Sequence, residues 1–134
     1  MKRKDEKMKT FLTVILLLIP LGLTAMAGTS GLPEEKNFRD NWCQRMGGET
    51  NFLLDDKMMV DCLLDEYAVA IDFASQWAEV IGKSKYFAAM TGRKPGIVLI
   101  LENEEKDFVN MIRLLTAIKE DKGWIVWTIR EDDL

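Results

Sequence analysis

The chain has 134 residues, 48% of them hydrophobic and 30% charged, so it has room for one globular domain. It contains no histidine, which excludes Ser-His and Cys-His nucleophile pairs. Two cysteines without histidine also exclude a structural zinc site made of four nitrogen or sulfur ligands.

The first 27 residues have the organisation of a secretory signal peptide. MKRKDEKMKT is basic, FLTVILLLIPLGLTA is apolar, and residues 25–27 (AMA) form a small-x-small site before Gly28. An uncleaved membrane anchor is the alternative, but a spanning helix needs about 20 apolar residues. This run is shorter, and Pro20 and Gly22 interrupt it. The sequence therefore predicts cleavage of residues 1–27, export to the periplasm or the medium, and no stable membrane span afterwards.

Cleavage would leave an acidic protein. Residues 1–27 contain five of the 18 basic and two of the 22 acidic side chains, which leaves 13 basic and 20 acidic groups and a net charge of −7. Nucleic-acid binders gain much of their affinity by neutralising phosphates. This balance therefore disfavours a nucleic-acid partner without excluding it, and the sequence identifies no other partner.

The two cysteines, Cys43 and Cys62, both lie in the predicted mature part. In an oxidising compartment an even number of cysteines favours a disulfide. Closing a loop of this length would stabilise the fold by roughly 3 kcal/mol in the chain-entropy model. Two buried free thiols are the alternative.

The remaining chain is predicted to form one domain. The layout is a signal peptide at 1–27, a flexible lead-in at 28–33, a single α/β domain at 34–130 and an acidic tail at 131–134. The domain begins with a helix at 34–46, because acids follow Pro33 in its first turn. Gly47 and Gly48 would end this helix. Its predicted buried stripe consists of Phe38, Trp42, Cys43 and Met46.

Three strands are predicted after this helix, at 50–54, 58–64 and 67–73, from alternating apolar residues and short polar turns. Ser75 is expected to cap a helix that runs to about residue 90. A loop at 91–96 and a continuous apolar strand at 97–101, typical of a sheet interior, come next.

An amphipathic helix at 103–119 and a last strand at 124–129 complete the domain. The apolar side of that helix is predicted to contain Phe108, Met111, Ile112, Leu115 and Ile118. The resulting order, α-β-β-β-α-β-α-β, predicts an α/β fold with a mixed sheet flanked by helices.

This order is similar to the core of the restriction-endonuclease-like, or PD-(D/E)XK, superfamily. The residues also resemble a largely uncharacterised family of small exported bacterial proteins, with the pattern WC, GG, VDC-L, EVDF, KWAEAIGQ-LYYA and TGKKPGIVLIL. The matching segments are 42–43, 47–48, 60–63, 71–74, 77–79, 81–82, 91–92 and 94–101. The resemblance covers most of the predicted mature chain.

The superfamily chemistry implies a divalent-metal site. It uses an Asp on the second strand and an acid on the third to hold Mg²⁺, with a Lys two residues later that helps to activate water. Asp61 matches the first ligand, whereas Ala70 stands in place of the second acid and Asp72 in place of the Lys. Asp61 and Asp72 are therefore candidate ligands for Mg or Mn in an incomplete set.

The catalytic Lys of this superfamily sometimes migrates to the helix after the third strand, which makes Lys83 a candidate. Glu79 and Lys83 are i and i+4 and share a helix face. Asp61, Asp72, Lys83 and Glu79 are thus candidate catalytic residues that would meet at one corner. The structural alternative is a solvated Glu79–Lys83 pair worth a few tenths of a kcal/mol, with Asp72 serving as a local cap or helix-dipole partner.

Three functions follow from these patterns. The leading one is an exported α/β protein whose nuclease-like site is incomplete and which binds an unidentified ligand without turnover. The second is a divalent-metal nuclease acting on DNA or RNA through Asp61, Asp72 and Lys83. The third is a structural envelope protein in which this corner holds no ligand.

Overall fold

The computed structural model describes residues 35–133, so the predicted signal peptide (1–27) and lead-in (28–33) lie outside the described residues. All described elements belong to one compact unit, Pro33–Leu134. In chain order they are α1 (Glu35–Arg45), β1 (Glu49–Leu53), β2 (Met59–Leu63), β3 (Tyr67–Phe73), α2 (Trp77–Thr91), β4 (Lys94–Leu101), α3 (Glu104–Ile118) and β5 (Ile125–Arg130). This confirms the predicted order and a mixed α/β fold. Across residues 35–133, no helix is both long and apolar enough to cross a membrane.

The five strands form one open sheet in the order β1-β2-β3-β4-β5. The first three run antiparallel, as expected for strands joined by short turns. β3, β4 and β5 run parallel, because α2 and α3 each return the chain across the sheet. The apolar run 97–100 of β4 is fully buried, in agreement with an interior strand covered on both faces.

Helices cover the two faces of the sheet through two separate apolar clusters. α2 and α3 pack on one face, to which β3 contributes Ala68 and Ala70. α1 packs on the other face, to which β3 contributes Val69 and Ile71. Polar side chains on the interior strands can therefore reach solvent only where the strands or the covering helices part.

A disulfide between Cys43 and Cys62 fixes α1 to β2, with a Cα–Cα distance of 5.6 Å, which confirms the predicted pair. Gly47 follows α1 with a φ of 71°, as predicted for a glycine after a helix end. Gly48 lies against the disulfide, and a Cβ there would be 2.6 Å from the Sγ of Cys62. The disulfide indicates an oxidising, non-cytoplasmic compartment.

Two predicted boundaries are wrong. A 3₁₀ turn, Ala74–Gln76, connects β3 to α2, so Ser75 lies inside this turn and does not cap the helix. β4 begins at Lys94 rather than at residue 97, because Lys94 pairs with Tyr67 and extends the parallel ladder into the predicted loop. The connection between α2 and β4 is correspondingly short.

Two further details concern element ends. Met46, predicted to be buried, is exposed because α1 ends at Arg45. The described part of the acidic tail, Glu131–Asp133, forms one 3₁₀ turn after β5. In this turn the carboxylate of Asp133 accepts a hydrogen bond from the amide of Arg130.

Only two of the five residues predicted for the apolar side of α3 contact the core. Ile118 is buried and Met111 packs against the core beside Leu114. Three of the predicted core residues are instead exposed: Phe108 (59%), Ile112 (46%) and Leu115 (41%). The apolar residues of α3 therefore span a wider arc than the sheet and α2 cover.

Candidate charged site where β2 and β3 separate

A charged cluster lies where β2 and β3 part. The pairing of these strands covers two residue pairs and stops at Cys62, although β3 continues to Phe73. Beyond that point the backbone amide of Ile71 donates a hydrogen bond to a side chain of β2 instead of to its backbone. The acceptor is Oδ2 of Asp61, at 2.8 Å. The opening lets helices on both faces of the sheet reach the same carboxylate.

Asp61 is buried and has donors on both of its oxygens. Nη1 of Arg39, on α1, donates to Oδ1 at 3.3 Å. Nζ of Lys83, on α2, lies 3.3 Å from Oδ2, which also accepts the Ile71 amide. Because α1 and α2 pack on opposite faces of the sheet, Asp61 connects the two helical layers through the gap between the strands.

Asp72 is the second carboxylate beside Lys83. Its Oδ2 lies 3.6 Å from Nζ of Lys83, and its Oδ1 accepts a hydrogen bond from the amide of Phe73 at 2.9 Å. Burial raises the pKa of Asp72 and outweighs the lowering effect of the Lys83 ammonium. Asp61, Asp72 and Lys83 thus lie together, as expected from the sequence. The negative charge of Asp72 has fewer donors beside it than that of Asp61.

Sequence reasoning missed two members of this cluster, Glu35 and Arg39. They are i and i+4 on α1, with Oε1 of Glu35 3.9 Å from Nη1 of Arg39. Burial raises the pKa of Glu35, and the negative charge of Asp72 raises it further. In sequence such a pair resembles an ordinary solvent-facing helix pair. The available signal was the position of Arg39 directly after Phe38, at the border of the predicted buried stripe.

Glu79 and Ala70 do not belong to the cluster. Glu79 is exposed in the first turn of α2, and no ion pair of the described residues involves it. Lys83 points to the two aspartates, so the expected Glu79–Lys83 pair is replaced by contacts to β2 and β3. Ala70 is fully buried in the apolar cluster formed with α2 and α3.

Scans against protein-family models, curated proteins and solved structures found no match to this chain. With Glu35, Asp61 and Asp72 ionised against Arg39 and Lys83, three negative charges face two positive ones. Burial is the main cause that raises the pKa values of Glu35 and Asp72, and the negative charge of the neighbouring carboxylates adds to it.

The cluster as arranged does not fit a hard divalent cation. Mg²⁺ and Mn²⁺ need free carboxylate oxygens in a compact shell, whereas Arg39, Lys83 and the Ile71 amide engage both oxygens of Asp61. Within residues 35–133, no three acidic, cysteine or histidine side chains are close enough to share a metal ion. A metal could bind only after the cationic side chains had moved away from Asp61.

Proposed function

We propose that this chain is an exported binding protein with a restriction-endonuclease-like core that does not turn over substrate. Its element order and its mixed sheet support that core. The basic, apolar and small-residue order of residues 1–27, together with the disulfide, supports export. The acidic balance supports a ligand other than nucleic acid.

The observation that carries the proposal is the engagement of Asp61. A hydrolytic site of this superfamily would use Asp61 as a metal ligand, yet both oxygens already have donors. Arg39 is also held in place, because Cys43 lies one helical turn further along α1 and is covalently attached to Cys62, the neighbour of Asp61. Asp61 therefore serves as a structural tie between the sheet and its two helical layers.

A nuclease assay tests this proposal directly. The Pro33–Leu134 unit contains both apolar clusters and the disulfide, so it can be studied by itself. We expect no cleavage of single- or double-stranded DNA or RNA with Mg²⁺ or Mn²⁺, compared with an EDTA control. Metal-dependent cleavage that Asp61→Ala abolishes would overturn the proposal. Asp65→Ala is the matched control, because Asp65 is an exposed aspartate close by in sequence.

A divalent-metal nuclease is the second candidate, because three carboxylates, those of Glu35, Asp61 and Asp72, belong to the same charged cluster. Glu35 would supply the carboxylate that is missing at Ala70, provided that Lys83 moved aside. Calorimetric titration with Mn²⁺ tests this candidate separately. Heat of binding that disappears in Glu35→Gln and persists in Asp65→Ala would support it. An absence of heat would exclude the metal site and would leave the binding module and the structural envelope component as the remaining candidates.

A further inference from the structure

Two stripes of side chains run along α3. Each large apolar residue of the second stripe follows a residue of the first by one position, so the stripes lie about 100° apart around the helix axis. The inner stripe is covered by the core and contains Asp107, Met111, Leu114 and Ile118. The outer stripe is exposed and contains Glu105, Phe108, Ile112, Leu115 and Lys119. Within residues 35–133, no other element covers the outer stripe.

The outer stripe has the spacing of a helix-pairing seam. Its members are three, four, three and four residues apart, which is the a/d pattern that keeps one stripe facing a partner helix. Its three central residues are large and apolar, and Val109 beside them is also exposed, at 47%. Single exposed apolar residues are common on protein surfaces, whereas several large ones on the same side of a helix indicate a contact site.

The ends of the stripe carry opposite charges. Glu105 lies in the first turn of α3 and Lys119 is its C-terminal cap residue, with helical backbone angles. Both side chains are exposed. An antiparallel copy of the same helix would place Glu105 near Lys119 of the second copy at both ends, whereas a parallel copy would bring like charges together. The stripe is therefore self-complementary in the antiparallel orientation.

We propose that the outer stripe of α3 is the interface of a homodimer in which two α3 helices pack antiparallel across a two-fold axis beside Ile112. Phe108 and Val109 of one copy then face Leu115 of the other, and the two Ile112 side chains meet at the axis. Such an isologous contact uses the same patch on both copies and closes at two subunits.

The size of the stripe sets the expected affinity. α3 has 15 residues and is therefore about 22 Å long. A seam of this length buries less than the roughly 800 Å² per partner of a standard interface. We expect a reversible dimer with a dissociation constant on the order of 10–100 μM.

Sedimentation of the Pro33–Leu134 unit from about 1 μM to about 1 mM tests the interface. We expect a concentration-dependent monomer–dimer equilibrium in the wild type. Ile112→Glu should weaken it at least about tenfold, because it places two carboxylates side by side at the axis. Ala117→Glu is the matched control, since Ala117 is exposed on the same helix about 140° away. Thermal melts of both variants report whether each still folds.

Charge exchange tests the orientation. Glu105→Lys or Lys119→Glu alone should weaken the dimer, and the two changes together should restore it, because each residue would again face its opposite. Ile112→Cys should form a disulfide-linked dimer under mild oxidation, whereas Ala117→Cys should not. Cys43 and Cys62 are fully buried and bonded to each other, so they do not compete.

Three results would overturn the proposal. A wild type that stays monomeric at about 1 mM excludes the homodimer. A double charge exchange as weak as either single change excludes the antiparallel arrangement. A monomeric protein that binds lipid vesicles, and loses this binding with Ile112→Glu but not with Ala117→Glu, would assign the stripe to a membrane surface instead.

Discussion

Lys83 neutralises two buried carboxylates at once, so its replacement gives the sharpest test of the charged cluster. Lys83→Met keeps most of the apolar stem and removes the ammonium that lies 3.3 Å from Asp61 and 3.6 Å from Asp72. Asp61 keeps the guanidinium of Arg39 and an amide donor. Asp72 keeps only the amide of Phe73, so it bears most of the loss.

The loss of free energy of unfolding expected for Lys83→Met lies between two limits. Removing one partner of a fully buried ion pair costs about 3–5 kcal/mol, whereas an exposed pair contributes about 0.2–1 kcal/mol. The side chain of Lys83 is 32% exposed and its partners are buried, so we expect a loss of about 2 kcal/mol in the free energy of unfolding at about pH 7. In a domain of this size that lowers Tm by about 8–16 °C.

Urea unfolding at about pH 7 and about pH 4 measures this cost. Because burial raises the pKa of Asp72, a larger fraction of this carboxyl group is protonated at the lower pH than at the higher one, so the ammonium has less charge to neutralise and the deficit should shrink. Lys85→Met is the matched control, because Lys85 is on the same helix in an exposed pair with Asp121. We expect it to change stability by less than about 0.5 kcal/mol. A Lys83→Met variant as stable as the wild type, or equally destabilised at both pH values, would refute the reasoning.

Other predictions concern the same region. Because folding raises the pKa of Asp72 above its ordinary value of 3.8, its contribution to stability is full below that pH and is lost as pH rises through the raised pKa. Asp72→Asn should remove this decline in unfolding experiments across pH. Gly48→Ala should cost about 1–3 kcal/mol in thermal melts, because the new Cβ would be 2.6 Å from the Sγ of Cys62. Replacing Cys43 and Cys62 together by alanine should cost about 3 kcal/mol in urea unfolding. Glu79→Ala should stay within about 0.5 kcal/mol of the wild type, and a larger loss would mean that Glu79 contacts the cluster.

Local patterns predicted the elements well, because apolar periodicity and turn residues are properties of short segments. The continuous apolar run of β4 and the glycines after α1 are clear cases. The boundary of β4 was wrong because strand pairing sets it instead. β4 extends back to Lys94 because β3 lies beside it and offers hydrogen-bond partners, and the residues of β4 alone do not show this neighbour.

The cluster was partly predictable. Asp61, Asp72 and Lys83 could be brought together from strand alternation and from the position of α2 after β3. Arg39 and Glu35 could not, because α1 is separated from β2 and β3 along the chain and its polar residues resemble a solvent-facing side. Their role depends on α1 packing over the gap between two strands.

The amino-acid sequence by itself determined the order of the elements, the single pair of cysteines and the acidic balance of the chain, because each is a property of composition or of short-range spacing. The tertiary structure alone decided which donors engage Asp61 and which of the two stripes of α3 is buried. Both depend on contacts between residues distant along the chain. Periodicity shows that a helix has an apolar side, whereas burial depends on what packs against it.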